Sequence, residues 1–414
     1  MTPDANLATA IEKLLDDHPP SGVSSATLRR CMNETWFSDS LAWVLDPSAD
    51  HGLGSAGLEA FCHAVAKARA DGFHAKPRRY ARYGHHLRHG NGKTGRLVSE
   101  LALGNAASIR EFYLGRGVKR DALEGVRYCD LVLLDLDRDD GLFLVVENKL
   151  LGHDHPGQLA GYLDAIKKRY GDSKSRTREF AYITLRGGPP KHLERGSAAA
   201  REWVCLGWVG ALEALVASLA QRKRAHEAVR DLAALLGWMK GLAEDPRTQG
   251  LGDALKRALV DEACEAMVAE LNRLEKGSEG RWTALDRAMG RHGKLVPHRL
   301  LRHAEGGKRR LRIDVLPSAS LAVQSLTASG RTKHEKLIVP FGAPASQVLN
   351  LIDVTARDVY GLFFGDEVRR RLLSRSPRTR YQSVEAARQS LFHLVSRRRA
   401  QVQLLLALSD PMPE

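Results

Sequence analysis

The chain has 414 residues, of which 43% are hydrophobic and 27% charged, so it has the composition of a folded protein and the length of two or three domains. Lysine and arginine number 63 against 49 aspartate and glutamate residues, a formal net charge of +14. This surplus favours a polyanionic partner, either nucleic acid or an anionic membrane surface, over a protein that is basic without such a partner.

Targeting and redox features narrow the choice of partner. No segment approaches the roughly 18 to 20 unbroken apolar residues that cross a bilayer. The first residues also lack the basic and apolar regions of a secretory signal. The five cysteines are scattered and form no Cys-x-x-Cys pair, which argues against a disulfide framework and a zinc site. We therefore expect a cytoplasmic protein whose partner is nucleic acid and not a membrane.

The beginning of the chain is predicted to be mainly helical. One helix is predicted from about 24 to 45, where Asp46-Pro47 ends it, and a second from about 55 to 70. The basic, glycine-interrupted stretch 72–96 is predicted to be a loop, and a strand is expected near 109–114.

Short apolar runs between turn residues then predict a mixed α/β sheet. Two of them, Tyr128 to Leu136 and Leu142 to Val146, predict a hairpin around the turn 137–141. His155-Pro156-Gly157 opens a predicted helix. Two further strands are predicted, from Phe180 to Leu185 and from Trp203 to Trp208.

The character of the sequence changes after residue 210. Helices are predicted to about 275, a β-rich patch between 309 and 341, and two final helices at about 344–375 and 383–409. We place a domain boundary near residue 220, which divides the chain into domains 1–220 and 221–414.

Two carboxylates and one ammonium are predicted to meet at the end of the hairpin. Glu147 and Lys149 share one face of their strand because side chains alternate, while Asn148 lies on the other face. The tight turn can bring Asp130, at the head of the partner strand, close to Glu147. Carboxylate oxygens are ligands that Mg²⁺ prefers, and an ammonium can position the attacking water in phosphodiester hydrolysis.

A purely structural interpretation competes with this one. A glutamate and a lysine on one face of a strand can simply form a solvated pair. The uniformly apolar residues 142–146 before Glu147 predict a strand buried on both faces. Charges that emerge from such a strand are costly unless they have a function, so the catalytic interpretation is favoured.

Longer motifs surround these residues. They are NETWFSDSLAWVLDP, RYCDLVLLDL, LFLVVENKL, HPGQLAGYLDAI, FAYITLRGG and WVCLGW. Together they resemble the PD-(D/E)XK nuclease superfamily, and its RecB-like and lambda-exonuclease-like members in particular, over about residues 30–215. The stretch 72–96 departs from the pattern, and the resemblance ends near residue 220.

This resemblance implies a restriction-endonuclease-like mixed sheet flanked by helices, with a C-terminal helical and β-rich extension, and a metal-dependent nuclease. The implied ligands of Mg²⁺ or Mn²⁺ are Asp130, Glu147, Glu34 and the backbone carbonyl of Asn148. Lys149 would orient the water. Gln158 and Tyr162, four residues apart on one helical face, would support the active site and the DNA backbone. The alternatives are a solvated Glu34, a capping Gln158 and a core Tyr162.

Other candidate motifs are set aside. His153-Asp154-His155 cannot easily face one ion from an extended segment, so we interpret it as a loop at the mouth of the active site. The acidic residues between 135 and 140 lack the spacing of an EF-hand and are interpreted as a turn. The chain contains neither a Gly-x-Ser-x-Gly motif nor a P-loop, which argues against a serine hydrolase and an ATPase.

The predicted function is metal-dependent hydrolysis of phosphodiester bonds, with DNA favoured over RNA and a role in restriction or phage defence. A catalytically silent nucleic-acid-binding module is the alternative. A nuclease gated by a ligand or partner protein through residues 221–414 is a third hypothesis, and a homo-oligomer stays open. Ten arginines between 366 and 400 suggest that the final helices contact phosphates, with Arg397, Arg398 and Arg399 among them.

Overall fold

The computed structural model describes most of the first 274 residues and parts of the remainder. The described ranges are 3–71, 106–116, 126–135, 142–150, 154–170, 179–194, 196–274, 282–286, 298–303, 310–316, 320–326, 337–340 and 391–408. The predicted loop 72–96, the predicted turn 137–141 and the predicted helix 344–375 lie outside them, as does the beginning of the helix predicted at 383–409. Within these ranges no helix has the length and apolar character needed to cross a membrane.

The helices and strands follow one another in an α/β order. Up to residue 244 they are α1 Pro3–Asp17, α2 Ser25–Arg30, α3 Glu34–Leu45, α4 Ala56–Asp71, β1 Ala106–Arg116, β2 Val126–Asp135, β3 Leu142–Lys149, α5 Gln158–Tyr170, β4 Glu179–Thr184, α6 Ala198–Glu202, β5 Trp203–Gly207, α7 Glu213–Ala220 and α8 Glu227–Glu244. After residue 244 they are α9 Leu251–Leu274, β6 Trp282–Ala284, β7 Arg299–His303, β8 Arg310–Leu316, β9 Ser320–Leu326, β10 Leu337–Pro340, α10 Leu391–Arg397 and α11 Arg399–Leu408.

The chain divides into two compact units. The first contains the described residues of Pro19–Glu244, and the second contains those of Met1–His18 and Asp245–Asp410. The boundary that the sequence suggested near residue 220 falls between α7 and α8, which pack against each other within the first unit. Helix α1, for which the sequence pattern gave no prediction, belongs to the second unit.

The first unit is built on a mixed sheet whose described strands are ordered β1-β2-β3-β4-β5. The first three are antiparallel neighbours, and β3, β4 and β5 run parallel. A parallel neighbour needs a crossover connection, which α5 supplies between β3 and β4. The predicted α/β class with a mixed sheet is confirmed.

Helices cover both faces of this sheet. Helix α5 packs its apolar side chains on one face, in a core that includes Val145 and Tyr182. Helix α3 lies against β1, β2 and β3 on the other face. As the apolar run predicted, β3 is buried on both faces: Leu144, Val145 and Val146 are each at most 1% exposed.

The helix predicted over 24–45 is interrupted, so its predicted continuity is wrong. The side chain of Asn33 accepts hydrogen bonds from the backbone N–H groups of Thr35 and Trp36 at 2.9 and 3.3 Å. An asparagine used in this way ends the preceding helix and begins a new one. Glu34 is therefore the first residue of α3 and lies at the N-terminal end of that helix.

The second unit combines helices with an antiparallel sheet whose described strands are ordered β10-β9-β8-β7-β6. Helix α9 packs against β6, β7 and β8, and Trp282 of β6 is 1% exposed. Helix α1 packs against α9 and α10. The β-rich patch is thus larger than the sequence suggested, because β6 and β7 precede it.

Candidate active site

The end of β3 places three consecutive polar side chains on two faces of the sheet. Glu147 and Lys149 lie on the face covered by α5, and Asn148 lies on the face covered by α3. The Asn148 amide donates to Ser38 Oγ at 2.9 Å and to the Glu34 carbonyl at 3.2 Å, and its oxygen accepts from Trp208 Nε1 at 2.8 Å. This buried network ties the carboxyl end of β3 to the beginning of α3.

Asp130 meets β3 where the pairing of the two strands ends. Leu131 is paired with Val146, so the next position brings Asp130 opposite Glu147. The Asp130 carboxylate accepts a hydrogen bond from the Asn148 backbone N–H at 2.7 Å. The Asp130 side chain thus accepts a hydrogen bond that a main-chain carbonyl would accept in a continued strand pair. This contact holds the carboxylate between β2 and β3.

Lys149 and Glu34 complete the group of charges. Lys149 Nζ lies 2.6 Å from Glu147 Oε1 and 3.7 Å from Glu34 Oε1. Because Asn33 begins α3, Glu34 occupies its first turn and reaches the sheet edge. The structure therefore brings together Asp130, Glu147, Lys149 and Glu34, although Glu34 and Lys149 are 115 positions apart in the sequence.

Burial and like charge shape the protonation of this group. Glu147 is 1% exposed. Burial, followed by the negative charge of Asp130, raises the pKa of Glu147 to about 7 even though Lys149 opposes the shift. Burial also raises the pKa of Glu34. For Lys149, burial alone would lower the pKa, but the surrounding carboxylates outweigh it and raise the pKa above its usual range. The site holds more negative than positive charge.

Helix α5 supports Glu147 from one side. Gln158 Nε2 donates to Glu147 Oε1 at 2.7 Å and lies 2.9 Å from the Tyr162 hydroxyl. That hydroxyl donates in turn to the Tyr128 carbonyl at 2.5 Å. The Gln158 side-chain oxygen accepts from the His155 backbone N–H at 3.0 Å. The two residues four apart on the helix thus form one hydrogen-bonded chain from β2 to Glu147.

Comparison with protein families matches residues 26–232, half of the chain, to the PD-(D/E)XK nuclease superfamily. The chain belongs to this superfamily. No curated protein and no solved structure matches the chain. The matched range contains every element that builds the charged group, from α3 to α5, and extends into α8.

The donor set of this PD-(D/E)XK chain fits a divalent metal ion. Among the described residues, Glu34 Oε1 and Glu147 Oε2 are buried and accept no hydrogen bond. Buried acceptors of this kind are costly when they stay unpaired. Lys149 Nζ lies against Glu147. In the part of the chain that the structure describes, the His, Cys, Asp and Glu side chains form no group of three at the spacing of metal ligands. The Asn148 side chain is committed to the α3 face, so only its backbone carbonyl could serve.

Two residues beside this group of charges, Arg110 and Asp39, escaped the sequence analysis. The Arg110 guanidinium on β1 donates to the Asp130 carbonyl, and its Nε donates to Asp39 Oδ1 on α3 at 2.6 Å. Arg110 therefore connects the strand that carries Asp130 to the helix that carries Glu34. No local motif marks either residue, because their contact spans 71 positions.

The segment around His153-Asp154-His155 has a structural role. Asp154 is 2% exposed, and its carboxylate accepts from the backbone N–H groups of Lys191 and His192 at 2.6 and 3.0 Å. His155 is exposed, and His153 lies outside the described residues. Asp154 is thus an anchor for the loop after β4.

Proposed function

We propose that the protein hydrolyses phosphodiester bonds of nucleic acid with a divalent metal ion, and that DNA is preferred over RNA. The observation that carries this proposal is the pair of buried carboxylate oxygens of Glu34 and Glu147 that accept no hydrogen bond, beside Asp130 and Lys149. Membership of the PD-(D/E)XK nuclease superfamily supports it.

Asp130, Glu147, Glu34 and the Asn148 backbone carbonyl would hold the ion, which we propose to be Mg²⁺, with Mn²⁺ as a substitute. All four supply hard oxygen donors, the ligand type that both ions accept. When bound, the ion neutralises charge on the scissile phosphate and lowers the pKa of a coordinated water.

The remaining residues position groups and protons. Lys149 keeps its proton, since the neighbouring carboxylates raise its pKa, and it can donate hydrogen bonds to the attacking water and the phosphate. Gln158 holds Glu147 in place, and Tyr162 holds Gln158. Arg110 fixes the backbone of Asp130. These contacts restrict each reacting group to a narrow range of positions before substrate binds.

The preference for DNA and the biological role are working hypotheses. The net charge of +14 supports a nucleic-acid partner of either kind. The superfamily includes enzymes of restriction, repair, recombination and phage defence, and we favour restriction or phage defence in the cytoplasm.

The test is cleavage by the purified full chain. Linear and circular DNA and RNA, single- and double-stranded, are incubated with Mg²⁺, with Mn²⁺ or with EDTA, and Glu147→Gln serves as the inactive control. We expect DNA cleavage with either metal ion and none with EDTA. Binding of nucleic acid without cleavage under every metal condition would favour a silent binding module, and equal cleavage in EDTA would exclude metal dependence.

A further inference from the structure

Thr184 lies beside Lys149 on the next strand of the sheet. The two residues are paired in the parallel register of β3 and β4, as are Glu147 and Tyr182 one step earlier. In-register neighbours on parallel strands share a face, about 4.8 Å apart. Thr184 therefore extends the active-site face away from Asp130, on the β4 side of Lys149.

The hydroxyl of Thr184 is a buried polar atom that needs a partner. Within the described ranges, Thr184 Oγ1 is buried and makes no hydrogen bond. An apolar residue of the same shape would cost less in such a place. The hydroxyl thus leaves a hydrogen-bonding group unused near the carboxyl ends of β3 and β4.

Arg186 stands two residues further along, just past the end of β4. It is exposed. Desolvation lowers its pKa, and no carboxylate among the described residues contributes to that pKa. Most other guanidinium groups described near this sheet are committed to the protein, such as Arg110 to Asp39 and Arg69 to Glu179. Arg186 keeps a planar set of donors for an anion.

The backbone around Arg186 is held rigidly from both sides. Gly187 has a φ of +77°, and a Cβ at Gly207 would lie 3.0 Å from the Arg186 carbonyl carbon and 2.7 Å from the Val209 oxygen. The Val209 N–H donates to the Leu185 carbonyl at 3.0 Å. Asp154 anchors the following loop. The close packing of two glycines therefore sets the place of Arg186 relative to β4.

We propose that Thr184 and Arg186 form a phosphate subsite, which binds the substrate-strand phosphodiester next to the one that is cleaved. Lys149 is committed to Glu147 and Glu34, so a second phosphate on the β4 side needs donors of its own. Thr184 lies one strand spacing, about 4.8 Å, from Lys149, so the two residues can contact different phosphates of one strand. The proposed subsite rests on the proposed nuclease function. It predicts that the substrate strand runs across the sheet edge from Lys149 toward β4.

Three variants of the full chain test the subsite. Thr184→Val removes the hydroxyl, and Arg186→Gln removes the charge. Arg222→Gln is the matched control, because Arg222 is an exposed arginine that follows the end of α7 and is not part of the proposed subsite. Binding of fluorescent single- and double-stranded DNA is measured in EDTA over a series of salt concentrations, and cleavage and melting temperature are measured in parallel.

We expect Arg186→Gln to weaken binding about tenfold, the effect of a lost charge-assisted hydrogen bond. The slope of the logarithm of its DNA affinity against the logarithm of the salt concentration should decrease in magnitude by about 0.7 to 0.9. Arg222→Gln should behave as wild type. Thr184→Val should weaken binding and keep or raise the melting temperature, because the buried hydroxyl makes no hydrogen bond inside the protein. If the wild type binds and cleaves DNA but both variants match Arg222→Gln, the subsite is wrong and the nuclease assignment stands. A melting temperature lowered by Thr184→Val would give the hydroxyl an internal role and also contradict the subsite. If the wild type neither binds nor cleaves any nucleic acid, both proposals fail.

Discussion

Asp130 accepts a hydrogen bond from the backbone N–H of Asn148 at 2.7 Å, so one carboxylate replaces a main-chain acceptor where β2 and β3 separate. This hydrogen bond takes no part in catalysis itself, but it fixes the position of the second carboxylate oxygen of Asp130. Two roles thus meet in Asp130: it closes the strand pairing, and it contributes charge to the proposed metal site.

Substitutions at Asp130 can separate these roles. Asp130→Asn keeps an oxygen for the Asn148 N–H and removes the charge, whereas Asp130→Ala leaves that donor unsatisfied. We expect both variants to lose cleavage by about a thousandfold or more. Only Asp130→Ala should also lose about 1 to 3 kcal/mol of stability. Cleavage assays and denaturant unfolding measure the two effects, and near wild-type cleavage by Asp130→Asn would remove it from the metal site.

Tyr162→Phe tests the chain of hydrogen bonds that supports Glu147. The substitution removes the hydroxyl that contacts Gln158 and the Tyr128 carbonyl and leaves the ring in the core. We expect cleavage to fall about tenfold, since Gln158 loses one of its constraints, while DNA binding in EDTA is unchanged. Leu163→Met, which changes a neighbouring core side chain, is the control. Equal activity of the two variants would make Tyr162 a packing residue only.

The pH dependence of stability should report the buried Glu147. Burial and Asp130 raise its pKa from 4.5 to about 7, so between these values the folded state binds more protons than the unfolded state. Stability from this group is therefore present at low pH and is lost as pH rises through about 7. Unfolding in EDTA should show this loss in the wild type and less of it in Glu147→Gln. An identical pH profile for the two proteins would contradict the raised pKa.

The described end of the basic segment is already engaged by acidic side chains. Arg397 contacts Glu12, and Arg398 contacts Asp16, both on α1 of the same unit. We expect Arg397→Gln with Arg398→Gln to cost at most about 1 kcal/mol per pair in stability, because the pairs are partly exposed. The salt slope of DNA binding should not change. Arg399→Gln is the control that leaves these pairs intact, and a shallower slope in the double variant would restore the predicted phosphate contact.

The parts of the site that are close in sequence could be predicted, and the parts that depend on distant pairing could not. Glu147, Lys149 and Asp130 follow from strand alternation and a tight hairpin. Gln158 and Tyr162 are predicted by the resemblance to the superfamily, and their spacing of four residues places them on one helical face. Arg110 and Thr184 come close to these residues only through the pairing of β1 with β2 and of β3 with β4, and the register of these strands is fixed by tertiary packing.

The same distinction explains the errors in the helices. The break at Asn33 depends on a side chain that competes with the helix for backbone donors, a choice that local propensity leaves open. The place of α1 in the second unit depends on partners more than 200 residues away, which no periodicity within Pro3–Asp17 can indicate.

The double passage of the chain between its units, at His18 and Pro19 and again at Glu244 and Asp245, sets an order for folding during synthesis. Helix α1 is synthesised before the first unit, but its partners α9 and α10 are made after the whole of that unit. Its apolar residues Ile11, Leu14 and Leu15 are each at most 1% exposed in the folded protein. They therefore lack their packing partners while the α/β sheet of the first unit is synthesised. A message truncated before α9 would yield the first unit with the apolar face of α1 uncovered, and a recombinant first unit should begin after His18.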